Sequence, residues 1–300
     1  MQPPKTAFIA IVGKANVGKS SILNRLLGSK IAIVSSKPQT TRTRIMGVLT
    51  TEDNVQLVFT DTPGFHRPRT KLGEKMVQAV SDSIAGVDAC LFVAEALDKE
   101  CNEAELELLE KIKKAKIPTL LAVNKIDTVK DKTDLMARIA YLSSLLDFEA
   151  VIPVSAADGN GMDILLDELK KQAFESEHFF PDDTLTDQPE RVLASEMIRE
   201  KMLRLLDKEI PHGAAVSIEK MREREDGSGI VDIDATIYCE RETHKGIIIG
   251  KGGKMLKKIS TFARQDMERF FDFKVNLQVW VMVKEDWRNR EGLIHNFGLD

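Results

Sequence analysis

Short unbroken apolar runs alternate with helix-period stretches through the first 174 residues. Ala7–Val12 is a continuous apolar run ended by Gly13, the pattern of a strand buried on both faces. Ser20–Leu27 reads as a helix stopped by Gly28. Val55–Thr60 alternates and predicts a strand, paired with the 44–50 segment as a hairpin through Glu52-Asp53-Asn54. Further strands are predicted at Ala89–Ala94, Thr119–Val123 and Ala150–Val154, with helices near Leu72–Ile84, Glu103–Ala115 and Lys132–Leu146. A last helix is expected over Met162–Phe174. This order predicts an α/β fold, a doubly wound parallel sheet with one antiparallel edge.

The pattern breaks at residues 179–189, which contain two prolines and three acids and read as a linker. Beyond it the spacing predicts a helix over Glu190–Lys208 and strands over Ala214–Arg222 and Gly229–Cys239, joined by a turn at Asp226-Gly227. A glycine-rich segment at 245–253 follows, then a helix over Lys254–Phe270 and a strand over Lys274–Val283. The chain is therefore expected to divide into residues 1–178, a linker at 179–189, and an α+β domain at 190–300.

A length of 300 residues with 43% hydrophobic content supports two ordinary cores. No apolar run approaches the roughly 20 residues of a membrane span, and the N-terminus lacks a signal-peptide pattern. Cys90, Cys101 and Cys239 have no metal-like spacing, and Cys90 reads as a small buried hydrophobe. A reducing cytoplasm is expected. The net charge of −4 conceals two acid-free stretches. Residues 1–51 carry eight Lys and Arg without one Asp or Glu, and residues 243–265 carry Lys245, Lys251, Lys254, Lys257, Lys258 and Arg264. Two such gaps among 47 acids point to two places that meet phosphate.

The first gap holds Gly13-Lys14-Ala15-Asn16-Val17-Gly18-Lys19-Ser20, which matches G-x-x-x-x-G-K-[ST] between a strand and a helix. Its backbone N–H groups are expected to curl around phosphates, with the helix dipole behind them at Ser20 and Ser21. Lys19 is expected at the β- and γ-phosphates and Ser20 on Mg²⁺. Asp61-Thr62-Pro63-Gly64 ends the next strand, where Asp61 is expected to hold Mg²⁺ through water and the Gly64 N–H to sense a γ-phosphate. Asn124-Lys125-Ile126-Asp127 closes a third strand. The Asp127 carboxylate can accept from two guanine N–H donors that adenine does not offer, which favours GTP over ATP. Ser155-Ala156-Ala157 is placed to cap the guanine carbonyl through backbone N–H groups. In the loop Lys37-Pro38-Gln39-Thr40-Thr41-Arg42 a threonine is expected on Mg²⁺ and the γ-phosphate; Thr41 is assigned, with Thr40 as the alternative. One phosphate loop and no internal repeat exclude a tandem two-GTPase chain.

In the second gap Gly250-Lys251-Gly252-Gly253 satisfies G-x-x-G between apolar Ile247-Ile248-Ile249 and a basic helix. Such a loop clamps the backbone of about four nucleotides in KH modules. Lys251, Lys254, Lys257 and Lys258 would add phosphate attraction, and the isoleucines, Ile249 among them, an apolar floor for bases.

Taken together, these segments make the chain resemble the bacterial Era GTPase family over its full length. The carriers are the residues at 13–20, Pro-Gln-Thr-Thr-Arg at 38–42, Asp-Thr-Pro-Gly at 61–64, Asn-Lys-Ile-Asp at 124–127, Ser-Ala-Ala at 155–157 and Ile-Gly-Lys-Gly-Gly at 249–253. The resemblance implies a P-loop GTPase domain followed by a type II KH domain, the type with an N-terminal helix. It implies binding near the 3′ end of small-subunit (16S) ribosomal RNA, a role in assembling the 30S subunit, and peripheral membrane association. A monomer that binds RNA and no DNA is expected. Asn16, at the fourth loop position, resembles potassium-dependent relatives, so K⁺ is a candidate alongside Mg²⁺ and GTP/GDP.

Phe65 stands where Ras-type GTPases carry a water-orienting Gln. That sustains a second reading, a GTP-binding RNA chaperone or scaffold with negligible turnover. An ATP-dependent kinase is set aside by Asn124-Lys125-Ile126-Asp127.

Overall fold

The computed structural model describes residues 3–35, 37, 40–64, 70–207 and 210–299. Pro38, Gln39, Phe65 and Lys208 lie outside the described residues. Contacts divide the chain into two units: residues 1–32, 41–69 and 73–187, and residues 33–40, 70–72 and 188–300.

The first unit is a seven-stranded sheet built from β1 (Lys5–Val12), β2 (Ile45–Thr50), β3 (Val55–Asp61), β4 (Ala89–Glu95), β5 (Thr119–Asn124), β6 (Ala150–Pro153) and β7 (Phe174–Glu175). The order is β2-β3-β1-β4-β5-β6, with β7 antiparallel against the start of β1. β2 alone on this path runs antiparallel, against β3. The helices are α1 (Lys19–Leu27), α2 (Lys71–Ile84), α3 (Glu103–Ala115), α4 (Lys132–Leu145) and α5 (Met162–Lys170). Because parallel strands are reached by helical crossovers, both sheet faces are covered and the central strands carry apolar residues on each. The Cys90 thiol sits in that core, where burial pushes its pKa up to about 12.

The first unit departs from the sequence expectation in the length of α5 and in the burial of β3. α5 stops at Lys170 rather than continuing to Phe174, because Phe174 and Glu175 turn back to pair with Thr6 and Lys5. β3 is buried at every position although its sequence alternates. Its polar residue Gln56 is satisfied internally: the amide donates to Thr50 Oγ1 at 3.1 Å and Phe180 O at 2.9 Å, and accepts from Phe179 and Phe180 N–H at 2.8 and 3.0 Å. The partners come from the stretch that reads as a linker. Residues 176–187 form a strap on this unit, with Leu185 O accepting from Val48 N–H at 2.9 Å and the Thr186 hydroxyl donating to Met46 O at 2.6 Å.

The second unit contains α6 (Glu190–Leu205), β8 (Ala215–Glu223), β9 (Ile230–Cys239), α7 (Glu242–Ile249), α8 (Lys254–Phe271), β10 (Lys274–Val283) and α9 (Glu291–Asn296). Its sheet order is β10-β9-β8, with β9 and β10 parallel and β8 antiparallel. The segment before the G-x-x-G is a helix, α7, which the isoleucine run did not suggest. Ile259, Ala263 and Met267 recur every four residues on α8 and close the core against Ile233, Ala235 and Ile237 of β9. Trp287, beyond the last predicted strand, is fully buried and donates its indole N–H to Gly213 O at 2.9 Å. α6 ends at Leu205, three residues short of the predicted end. Val34 is held with this unit: its N–H donates to Glu200 Oε1 at 3.1 Å and its carbonyl accepts from Arg204 at 3.2 Å.

Candidate functional site

The loop between β1 and α1 is the centre of the first unit's chemistry. Lys19, the first residue of α1, is 6% exposed and folds its ammonium back over the loop. It donates to Gly13 O at 3.1 Å and Lys14 O at 2.8 Å. Burial lowers its pKa to about 8, against the opposing pull of Asp61 and then Glu105. Asn16 is exposed at the loop tip with φ +68°. Lys14 pairs with Asp98, and Ser21 follows Ser20 in the first turn of α1.

Three oxygen-bearing side chains from three elements converge beside this lysine. The Ser20 hydroxyl donates to Asp61 Oδ2 at 2.6 Å and lies 3.0 Å from Thr41 Oγ1. The Thr41 hydroxyl also donates to Asp61 Oδ2, at 3.3 Å. Thr40 faces elsewhere, its hydroxyl donating to Lys37 O at 2.6 Å. Asp61 is fully buried, and among the described residues its Oδ1 has no hydrogen-bond partner. Burial raises its pKa, opposed by Lys19, Ser20 and Thr41. A buried carboxylate with an unused oxygen beside two hydroxyls is a donor set for a hard, oxygen-seeking cation such as Mg²⁺. Thr62 anchors the next loop by donating to Ile11 O at 2.9 Å. Pro63 and Gly64 are buried behind it. Gly64 has no room for a side chain: a Cβ there would stand 2.5 Å from Ala15 Cα.

At the end of β5, Asn124 joins the phosphate loop to the next loop. Its amide donates to Val17 O at 2.8 Å and accepts from Ala156 N–H at 3.1 Å. Lys125 sits in the left-handed region (φ +67°) and reaches Glu95 at 2.7 Å. Asp127 is exposed and accepts from the Ser155 hydroxyl at 2.7 Å, which sets its carboxylate at the mouth of the site. The N–H groups of Ser155 and Ala156 are engaged by Asn160 O and Asn124 Oδ1. That leaves Ala157 to meet a ligand carbonyl. Sequence reasoning missed the pairings Lys14–Asp98 and Lys125–Glu95, since neither acid belongs to a motif.

In the second unit the G-x-x-G loop joins α7 to α8. Gly250 ends α7 with its N–H donating to Gly246 O at 2.9 Å, and Gly253 N–H returns to Gly250 O at 3.1 Å. Gly252 has φ +60° and nothing within 4 Å of where a Cβ would stand, so the loop is both strained for other residues and open to an approaching backbone. Lys251, Lys254, Lys257 and Lys258 are all exposed, and none forms an ion pair among the described residues. By contrast, Lys245 and Arg264 lie 4.0 and 3.0 Å from Glu242 and Glu268. The isoleucines divide: Ile248 is buried, Ile249 packs half-buried against the core, and Ile247 is 49% exposed. Ile247, rather than Ile249, offers apolar surface beside the loop.

Comparison with known proteins gives matches to both halves. Residues 8–125 match a family described as "50S ribosome-binding GTPase", and residues 209–288 match the KH domain family. The chain is 48% identical to GTPase Era of Ruminiclostridium cellulolyticum over 98% of its length and 97% of that protein's. It is likewise 48% identical to GTPase Era of Clostridioides difficile, over 98% of each chain. Among solved structures, Aquifex aeolicus Era bound to GDP and AlF4− superposes with a TM-score of 0.94 at 36% identity, covering 98% of this chain and 99% of that one. Era in complex with MgGDPNP and nucleotides 1506–1542 of 16S ribosomal RNA superposes equally, at 0.94 and 36%, over 99% of each chain.

Proposed function

The chain belongs to the Era GTPase family, and from that premise we propose a GTP-hydrolysing switch that binds small-subunit (16S) ribosomal RNA near its 3′ end and assists 30S subunit assembly. The observation that carries the nucleotide half is the meeting of Ser20, Thr41 and Asp61 beside Lys19. The RNA half is supported by the open Gly250–Gly253 loop and by Lys251, Lys254, Lys257 and Lys258 beside it, which form no ion pair among the described residues. The description of the family matching residues 8–125 names the large subunit, but that match stops short of the KH domain. The full-length relative held with 16S nucleotides spans both domains, and it guides our choice of RNA.

In this reading the 13–20 loop wraps the phosphates with its N–H groups and Lys19 neutralises charge on the β- and γ-oxygens. Ser20 and Thr41 would hold Mg²⁺ directly and Asp61 through water. The ion would supply charge neutralisation to the phosphates. Thr41, not Thr40, takes this role because its hydroxyl alone reaches Ser20 and Asp61. The Gly64 N–H reports the γ-phosphate, and Asp127 with Ala157 reads guanine. GTP would order residues 37–44 and 61–70, and hydrolysis would release them. Phe65 gives no water-orienting group, so we assign transition-state charge stabilisation to a K⁺ that would be held near the phosphates by Asn16 together with backbone carbonyls of the first switch segment. Hydrolysis in matched KCl and NaCl tests this: faster turnover in KCl is expected, and equal rates remove the ion.

The alternative of a scaffold with negligible turnover is disfavoured, since the relatives matched over nearly the whole chain are GTPases. A cytoplasmic location goes with the proposed role, and no helix among the described residues is long and apolar enough to cross a membrane. Peripheral membrane association rests on the resemblance alone. The test of the whole reading is twofold. Turnover of GTP but not ATP is expected, and purified protein is expected to crosslink to the 3′ segment of 16S RNA with GTP analogue or GDP. ATP turnover at a similar rate, or no RNA capture, would overturn it.

A further inference from the structure

α8 carries more than the lysines of its first turns. Lys254, Lys258 and Phe262 are spaced four residues apart, so they form one ridge with neighbouring Cβ atoms about 5–6 Å apart. All three are exposed, Phe262 by 40%. Phe262 lies one position off the buried stripe of Ile259, Ala263 and Met267, so its ring is not part of the core packing. The Lys258 ammonium stands 5.9 Å from the centre of that ring. A single exposed phenylalanine is ordinary on a protein surface. This one is set apart by its place, one turn beyond an unpaired lysine and in line with another, on a helix that starts at the G-x-x-G loop.

We propose that the RNA strand clamped at Gly250–Gly253 continues along this ridge and stacks one unpaired base on Phe262. The inference rests on the RNA-binding reading above and extends it to a second contact, two helical turns or roughly 12 Å beyond Lys254. Lys254 and Lys258 meet consecutive phosphates. The Phe262 ring offers the flat apolar face that any base accepts, which makes the contact tolerant of sequence and selective for single strands. Lys258, with its ammonium 5.9 Å from the ring centre, supports the stack by bringing charge to the same base–phosphate unit. A protein partner would fit the ridge less well, since the ammonium groups of Lys254 and Lys258, which form no ion pair among the described residues, would have to be desolvated or matched.

The test uses the full chain and the 37-nucleotide RNA spanning positions 1506–1542, with 5-iodouridine placed at one uridine at a time. Irradiation is expected to join one substituted position to Phe262. Phe262→Ala should weaken binding roughly 5- to 150-fold, the range for loss of one base–aromatic stack. Its salt dependence should stay parallel to that of the parent chain, while Lys258→Ala should lower the salt slope by about one. Phe262→Trp should restore affinity. Parent-like binding by Phe262→Ala with no crosslink overturns the inference and leaves the RNA-binding reading standing. Failure of the parent chain to bind this RNA sinks that reading itself. A loss in Phe262→Ala that comes with a lowered melting temperature and is not recovered by tryptophan also overturns the inference, because the ring would then be structural.

Discussion

Replacing Gly64 by alanine tests how tightly the two phosphate-facing loops are packed. The new Cβ would lie 2.5 Å from Ala15 Cα, 2.7 Å from its nitrogen and 2.8 Å from its Cβ, whereas ordinary contact begins at 3.4 Å. All three atoms belong to a fixed loop, so no flexible side chain can swing aside. The phosphate loop must shift by most of an ångström, and a displacement of about 1 Å near reacting atoms costs on the order of 100-fold in rate. That corresponds to about 2.7 kcal/mol of lost transition-state stabilisation. The same overlap should destabilise the first unit by roughly 1–3 kcal/mol. Single-turnover GTP hydrolysis, GDP affinity by a fluorescent analogue, and thermal melting together read these effects. A Gly64→Ala protein with turnover within threefold of the parent and an unchanged melting point would refute the reasoning.

Asp127→Asn should exchange guanine for xanthine preference, because an amide cannot accept from both guanine donors; unchanged GTP affinity would remove Asp127 from base recognition. Nucleotide affinity should depend on pH through Lys19. Its ammonium holds its proton below about pH 8 and loses it above, while bound polyphosphate favours the charged form, so the complex retains the proton to higher pH. Affinity is then full below pH 8 and falls as pH rises, by about tenfold at pH 9. GDP titrations from pH 7 to 9 check this, and a flat profile would contradict the buried position of the lysine. Lys251 and Gly252 both replaced by Asp should abolish RNA binding and leave GTP binding intact, with circular dichroism confirming the fold; retained affinity for 16S RNA would reduce the G-x-x-G to a turn.

Much of this architecture was legible in the sequence, and the parts that were not share a cause. Runs such as Ala7–Val12 and Ala89–Ala94 announce parallel strands because covered faces demand apolar residues at every position. β3 looked half-exposed because Gln56 and Thr60 are polar, yet both are buried. Gln56 is satisfied by backbone groups more than 120 residues away, which no local pattern records. Ile247-Ile248-Ile249 reads equally as strand or helix, and only the neighbouring elements decide it. The motif residues were found by spacing alone, while their partners were not. Thr41 separates from Thr40 only once Ser20 and Asp61 are placed around it, and Phe262 stands out only when the core stripe of α8 is known.

The strap at residues 176–187 has a further consequence for the sheet it lies on. β2 is the last strand of that sheet, and an outermost strand presents unpaired backbone groups that can recruit a strand from another molecule. Val48 N–H and Met46 O are such groups, and Leu185 and Thr186 occupy both. The 176–187 stretch thus occupies two of the backbone groups through which this edge could recruit another strand. A first unit truncated before Ser176 would keep its nucleotide loops but expose those two backbone groups, and is expected to aggregate more than the full chain, which light scattering on both would check.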